Sequence, residues 1–206
     1  MEEIGVKEKI LKSSEALLTR YGTRSISMDD IARHVGVSKK TLYQHFADKE
    51  DLVTEVCFSA LKCDQEEYES IEATAENAID ELVKISLVMK KQMAETNPTL
   101  IFDLQKFQPR AWSVWIDFRE NTIRESVVRN LKQGIREGYF REDIQPEMLA
   151  ILRLQILEMA FNPELFPKDQ FELSQVQAHL FEHFIYGIVT DKGRKLYDKL
   201  KKQFQI

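Results

Sequence analysis

The segment from Ser27 to Phe46 constrains this chain more than any other. It reads as two short helices around a glycine turn. Ser27 stands where a helix N-cap is needed, and Asp30, three residues on, completes a capping box. Ile31 and Ala32 give the first helix an apolar face. Gly36 supplies the positive φ of a tight turn at no steric cost. Ser38 caps the second helix, where Leu42 and Phe46 lie four apart and so share one side. The remaining residues there are Lys39, Lys40, Thr41, Tyr43, Gln44 and His45, all hydrogen-bond donors or acceptors and several on the first turns. A helix anchored by one face and offering polar side chains from its N-terminal end suits the DNA major groove.

Charge is the obvious objection, because the whole chain carries a formal −5. The excess is not evenly spread. Residues 1–50 hold nine Lys and Arg against eight Asp and Glu, so the acidic surplus belongs to the remainder. Between positions 33 and 49, Arg33, Lys39, Lys40 and Lys49 face only Asp48. Local arrangement, rather than the total, sets where nucleic acid is attracted, and an acidic body would keep it away from the rest of the surface.

The rest of the chain reads as helices. Val6, Ile10, Leu17, Leu18 and Tyr21 are spaced for one buried stripe, with Gly22 as a stop. Asp48 and Asp51 start a longer helix lined by Leu52, Val56, Cys57, Ala60, Leu61 and Tyr68. A further amphipathic helix is expected over 74–95. Asn97-Pro98 and Gln108-Pro109 predict a short helix over 98–107 and a long one over 109–137, since proline is preorganised for the first helical position. Gln145-Pro146 starts another. Ser174 with Gln177 is a second capping-box candidate, and Gly193 is expected to open a basic terminal helix. No strand pattern and no repeat is evident. The fold class is therefore all-α: a helix-turn-helix module over 1–47 joined to a helical body over 48–206.

Val37-Ser38, Thr41-Leu42-Tyr43, His45-Phe46 and Lys49-Glu50 with Leu52 closely resemble the DNA-binding signature of the TetR family of bacterial repressors. Phe184 to Ile188 is weakly similar to that family's last core helix. Two positions depart from the pattern: Lys40 where glycine is frequent, which adds charge to the DNA face, and Val35 where alanine is frequent. The resemblance implies a homodimer on a palindromic double-stranded operator, released by a small, mostly apolar effector held in the body. Thr41, Tyr43 and His45 are then assigned to phosphates, with Lys49 reaching one from the next helix. Lys39, Lys40 and Gln44 are assigned to base edges, lysine suiting guanine and glutamine adenine, although each lysine also reads as a solvated charge. Ser27 and Ser38 complete the DNA-facing set.

Helices that would wall the effector cavity carry Phe58, Leu61, Met89, Trp112, Ile116, Leu154 and Leu157. Periodicity does not separate cavity wall from core here. The aromatic group of Phe102, Phe107, Trp112, Trp115 and Phe118 raises the same question. Leu152, Ile156, Met159, Leu180, Phe184 and Ile188 give the last two long helices more apolar surface than one side needs, which together with the resemblance points to a four-helix dimer interface.

Several functions are disfavoured by the sequence. There is no GxSxG, glycine-rich phosphate loop, HExxH or paired Cys/His site, so no enzyme and no cofactor is expected. His179 and His183 have a zinc-compatible spacing but no third ligand nearby, and read as packing or interface residues. Two cysteines, six apart on one helix, cannot bridge within it and suit a reducing, cytoplasmic setting. No apolar run is long enough for a membrane span, and no signal segment is expected. A ligand-independent DNA-binding or architectural protein is the alternative to a ligand-responsive repressor.

Overall fold

The computed structural model describes residues 5–204. The chain forms α1 (Val6–Tyr21), α2 (Met28–Val35), α3 (Lys39–His45), α4 (Lys49–Thr74), α5 (Ala78–Glu95), α6 (Leu100–Phe107) and α7 (Pro109–Phe118). A π-helical turn (Arg119–Ile123) leads directly into α8 (Arg124–Arg136), followed by α9 (Pro146–Met159), α10 (Leu173–Ile188) and α11 (Asp191–Phe204). Among the described residues the one β feature is an isolated antiparallel bridge between Phe140 and Val189. No helix among them is long and apolar enough to cross a membrane.

Packing divides the chain into two units. The first comprises the described parts of Met1–Asp64 with Glu95–Phe118, and the second Gln65–Ala94 with the described parts of Arg119–Ile206. In the first unit, Ile10 and Leu18 of α1, Ile31 and Val35 of α2, Leu42, Phe46, Leu52 and Val56 form one core with Leu104 and Ala111. The helix-turn-helix is thus built on a core that includes α6 and α7. Backbone bonds add to this: Asn97 N donates to Thr19 O at 2.8 Å. The second unit packs Ile79 and Val83 of α5 with Leu131, Phe140, Phe181, Phe184, Ile185, Ile188 and Tyr197.

The structure departs from the sequence reading in several places. The buried stripe of α1 is Ile10, Ser14 and Leu18, whereas Val6 and Tyr21 are about half exposed. α5 starts at Ala78, because the Asn77 side chain accepts from the backbone N–H groups of Ile79 (3.1 Å) and Asp80 (3.0 Å). The expected single helix over 109–137 contains the π turn, within which Arg119 pairs with Glu120 at 2.7 Å and Glu158 at 2.5 Å. Ser174 caps nothing. α10 begins at Leu173, and Gln177 is buried, donating to Leu157 O at 2.8 Å. α11 opens at Asp191, two residues before Gly193. Thr190 Oγ1 accepts from Gly193 N at 3.1 Å, and a Cβ on Gly193 would lie 2.1 Å from Tyr139 O, so close backbone approach is what needs this glycine.

Candidate nucleic-acid interface

The local chemistry expected of the helix-turn-helix is present in atomic detail. Ser27 Oγ accepts from Asp30 N at 3.2 Å while the Asp30 carboxylate accepts from Ser27 N at 3.0 Å, closing the capping box at the start of α2. The Ser27 hydroxyl also donates to Asp30 Oδ2 at 2.5 Å; that bond, then the one from Ser27 N, holds the Asp30 carboxyl below its ordinary range, with Arg33 adding to the effect. Gly36 has φ +75° in the left-handed region and ends α2 through its N–H to Ala32 O. Ser38 Oγ accepts from Thr41 N at 3.0 Å and caps α3. Asp48 Oδ1 accepts from Asp51 N at 2.8 Å, and Asp51 returns a bond to Ala47 N at 3.0 Å.

These caps fix which side of α3 points outward. Leu42 and Phe46 are buried in the core of the first unit. Lys39, Lys40, Tyr43, Gln44 and His45 are exposed, and Thr41 is partly exposed beneath Ser38. Beside α3 lies an open concavity of about 400 Å³, lined by Arg24, Ser25, Ser27, Asp29, Lys39, Tyr43 and Lys49 together with Ile26 and Met28. Ser27, Tyr43 and Lys49 therefore converge from three elements on one depression at the N-terminus of α2. Free N–H groups and the positive end of the helix dipole suit an anion there. Partial burial pulls the Lys49 ammonium below its ordinary pKa, partly countered by Asp103 and Asp30.

Two features were not legible from the motif. Arg24 and Ser25, from the α1–α2 loop, line the concavity and add a cation and a hydroxyl to it. The guanidinium of Arg24 rests 5.2 Å from the Phe107 ring of α6, a partner far away in sequence. Lys39, by contrast, is paired within the protein. Its ammonium is 2.7 Å from Asp29 Oδ1, and that bond raises its pKa. Lys40 is the exposed cation of α3 without an ion pair among the described residues.

A family-wide profile described as bacterial regulatory proteins, tetR family, matches residues 10–56. Residues 10–56 thus carry a TetR-family DNA-binding module. The chain is a DNA-binding regulator of transcription. Its relatives include the HTH-type transcriptional repressor KstR2 of Mycobacterium tuberculosis, 26% identical over 144 residues, which cover 68% of this chain and 72% of that protein. The HTH-type transcriptional regulator YvaF of Bacillus subtilis is 24% identical over 188 residues, 90% of this chain and 96% of YvaF. In fold, a transcriptional regulator from Saccharomonospora viridis solved with choline superposes with a TM-score of 0.70 at 19% identity, over 89% of this chain and 97% of that one.

The other sequence-derived residues are distributed as follows. Of the effector set, Phe58, Leu61, Trp112 and Ile116 belong to the first unit, and Met89, Leu154 and Leu157 to the second. Phe58 is 61% exposed, Leu154 and Leu157 are buried, and the other four are half-buried. Of the dimer set, Phe184 and Ile188 are buried in the second unit's own core, and Leu180 and Ile156 are half-buried. Leu152 and Met159 are exposed, and the structure adds Met148 and Ile151 to the same side of α9. His179 and His183 are exposed on α10. Among the described residues no three His, Cys, Asp or Glu side chains are grouped to hold a metal ion.

Proposed function

We propose that this protein is a ligand-responsive repressor that binds a palindromic operator as a homodimer. The observation carrying the DNA half is the convergence of Ser27, Tyr43 and Lys49 on one concavity beside the exposed polar face of α3. In this reading the concavity takes a phosphate, with Arg24 and Ser25 joining it. Lys40 and Gln44 read base edges, while Ser38, Thr41 and His45 line the approach to the backbone. Lys39 must first exchange Asp29 for DNA.

The dimer reading rests on α9. Met148, Ile151, Leu152 and Met159 recur at helical spacing and are 36–62% exposed, a stripe that a partner helix would bury. On α10, His179, His183 and Gly187 are exposed four residues apart, and open space surrounds Gly187, so a partner helix has room to approach closely. Two such helices per chain form a four-helix interface, placing recognition helices about 34 Å apart on successive major grooves. Effector binding favours a dimer geometry that no longer matches this spacing. The choline complex of the Saccharomonospora viridis relative supports a small-molecule site in this fold.

The test is fluorescence anisotropy with the chain's own upstream region, combined with light scattering and a compound screen. The expected result is a dimer that protects a palindrome and releases it with a hit compound. A monomer at micromolar concentration overturns the proposal. A dimer that holds DNA whatever compound is added establishes the ligand-independent alternative.

A further inference from the structure

The inner stripe of α9 is Ala150, Arg153, Leu154 and Leu157. Arg153 occupies a core position, with only 8% of the residue exposed. Its guanidinium carbon is 5.1 Å from the ring centroid of Phe181 and 5.9 Å from that of Phe184, both on α10. Nη2 lies 4.0 Å from the sulfur of Met89, and Nη1 has no hydrogen-bond partner. Among the described residues no carboxylate stands within ion-pair distance of it. All these groups belong to the second unit.

A buried charge is normally paired or hydrogen-bonded, because the desolvation cost is otherwise unmet. Two aromatic faces and a weak bond from Nη2 to the Met89 sulfur return part of that cost, but they leave Nη1 without an acceptor. Burial draws the Arg153 pKa down to about 10, still far above neutral, so the side chain stays charged. One turn along α10, Gln177 Oε1 is also buried without a donor. Two buried polar atoms thus lack partners where α9 meets α10, Nη1 of Arg153 and Oε1 of Gln177, and the Tyr68 phenol is the other titratable group that acts on the guanidinium.

We propose that Arg153 is the anion anchor of a small-molecule site in the second unit, and that its ligand is an apolar monocarboxylate. A macromolecule cannot reach a side chain this deep. A small molecule can enter where Met89, half-buried and unbranched, gives way. One carboxylate neutralises one guanidinium and satisfies its fork in a bidentate pair, whereas a phosphate dianion would bring a surplus charge into the same apolar surroundings. The ligand's hydrocarbon then replaces the contacts that Phe181, Phe184 and Met89 now make with the cation. The proposal rests on the reading that the body binds an effector, and supplies that effector's chemistry.

The experiment is isothermal titration of the full chain with butanoate, octanoate, dodecanoate and phenylacetate, each paired with its primary amide, and with inorganic phosphate as the bare anion. At least one acid is expected to bind at least tenfold tighter than its amide, with phosphate weaker than that acid. Arg153→Met should erase the acid-over-amide preference while raising the melting temperature of the ligand-free chain, and Arg153→Lys should retain part of the preference. If no acid outbinds its amide on the wild-type chain, or the preference survives in Arg153→Met, the proposal is overturned. The wild-type comparison stands even if a variant fails to fold. The two readings fail separately: an acid that binds through Arg153 yet leaves operator affinity unchanged removes the effector role and keeps the anion site. A neutral compound that releases DNA, with no acid preferred over its amide, does the reverse.

Discussion

Ser27 has two roles in this structure, and two substitutions separate them. Its hydroxyl caps α2 by accepting from Asp30 N, and the same residue lines the concavity assigned to a phosphate. Ser27→Ala removes the cap and the DNA-facing hydroxyl together, and should cost about 1 kcal/mol of stability, within a range of about 0.5–2. For a chain of this size that is a fall of about 2–4 °C in melting temperature. Ser27→Gly removes the same hydroxyl but costs only a few tenths of a kcal/mol, because glycine is itself an acceptable N-cap. The hydroxyl proton is already donated to Asp30 Oδ2 at 2.5 Å, so a phosphate exchanges one charge-assisted bond for another; the net contribution is about 0.5–1.5 kcal/mol, and its loss should weaken each half-site by roughly twofold to tenfold. Melting curves and anisotropy titrations on a single operator duplex read the two effects independently. The expected pattern is unequal melting temperatures with equal losses of DNA affinity. A glycine variant that binds DNA like wild type, while the alanine variant does not, would show that Ser27 acts only through the helix cap, and the phosphate assignment would fall.

The capping box also has a pH signature. Because the folded Asp30 pKa is depressed, its contribution is present above the ordinary value near 3.8 and disappears as pH falls through the folded value; acid melts of Ser27→Ala should show a smaller loss over that window. Tyr43→Phe and Lys49→Met should weaken binding to every sequence, with Lys49→Met lowering the salt slope by about 0.9 per lost phosphate contact, while Gln44→Ala should relax specificity at one operator position at a cost of about 1–3 kcal/mol; competition titrations against operator variants separate the two classes. Burial pushes the Cys57 thiol up to about 12, whereas Cys63 is exposed, so a thiol-exchange reagent at mild alkaline pH should modify one cysteine per chain until denaturant is added. Gly134→Ala would place a Cβ 2.0 Å from the buried Phe140 ring; overpacking of about 1–3 kcal/mol should outweigh the helix-propensity gain of about 1, and a melt of Gly134→Ala with Phe140→Leu should recover part of the loss.

What could be read from the sequence follows the range of the interactions involved. The caps at Ser27, Ser38 and Asp48 and the left-handed turn at Gly36 depend on residues within four positions of one another, so a short window contains both donor and acceptor. The failures at Ser174 and Gly193 have the opposite origin. Gln177 was drawn away from a local cap by a carbonyl on α9, and Gly193 is required by the backbone of Tyr139, more than fifty positions earlier.

The sequence by itself determined an all-helical chain, the helix-turn-helix, and the polar outward face of α3, because helical periodicity and capping chemistry are local. What each apolar or charged residue packs against or pairs with was set by contacts distant in sequence. The tertiary structure took Phe184 and Ile188 into the core of their own unit and left Met148, Ile151 and Leu152 outside. It paired Lys39 with Asp29 and brought Arg24 to the concavity beside α3. It also enclosed Arg153 among Phe181, Phe184 and Met89 without an anion. Periodicity shows which side of a helix is apolar, but burial and charge pairing depend on which other helix packs against it, and those partners lie tens of residues away.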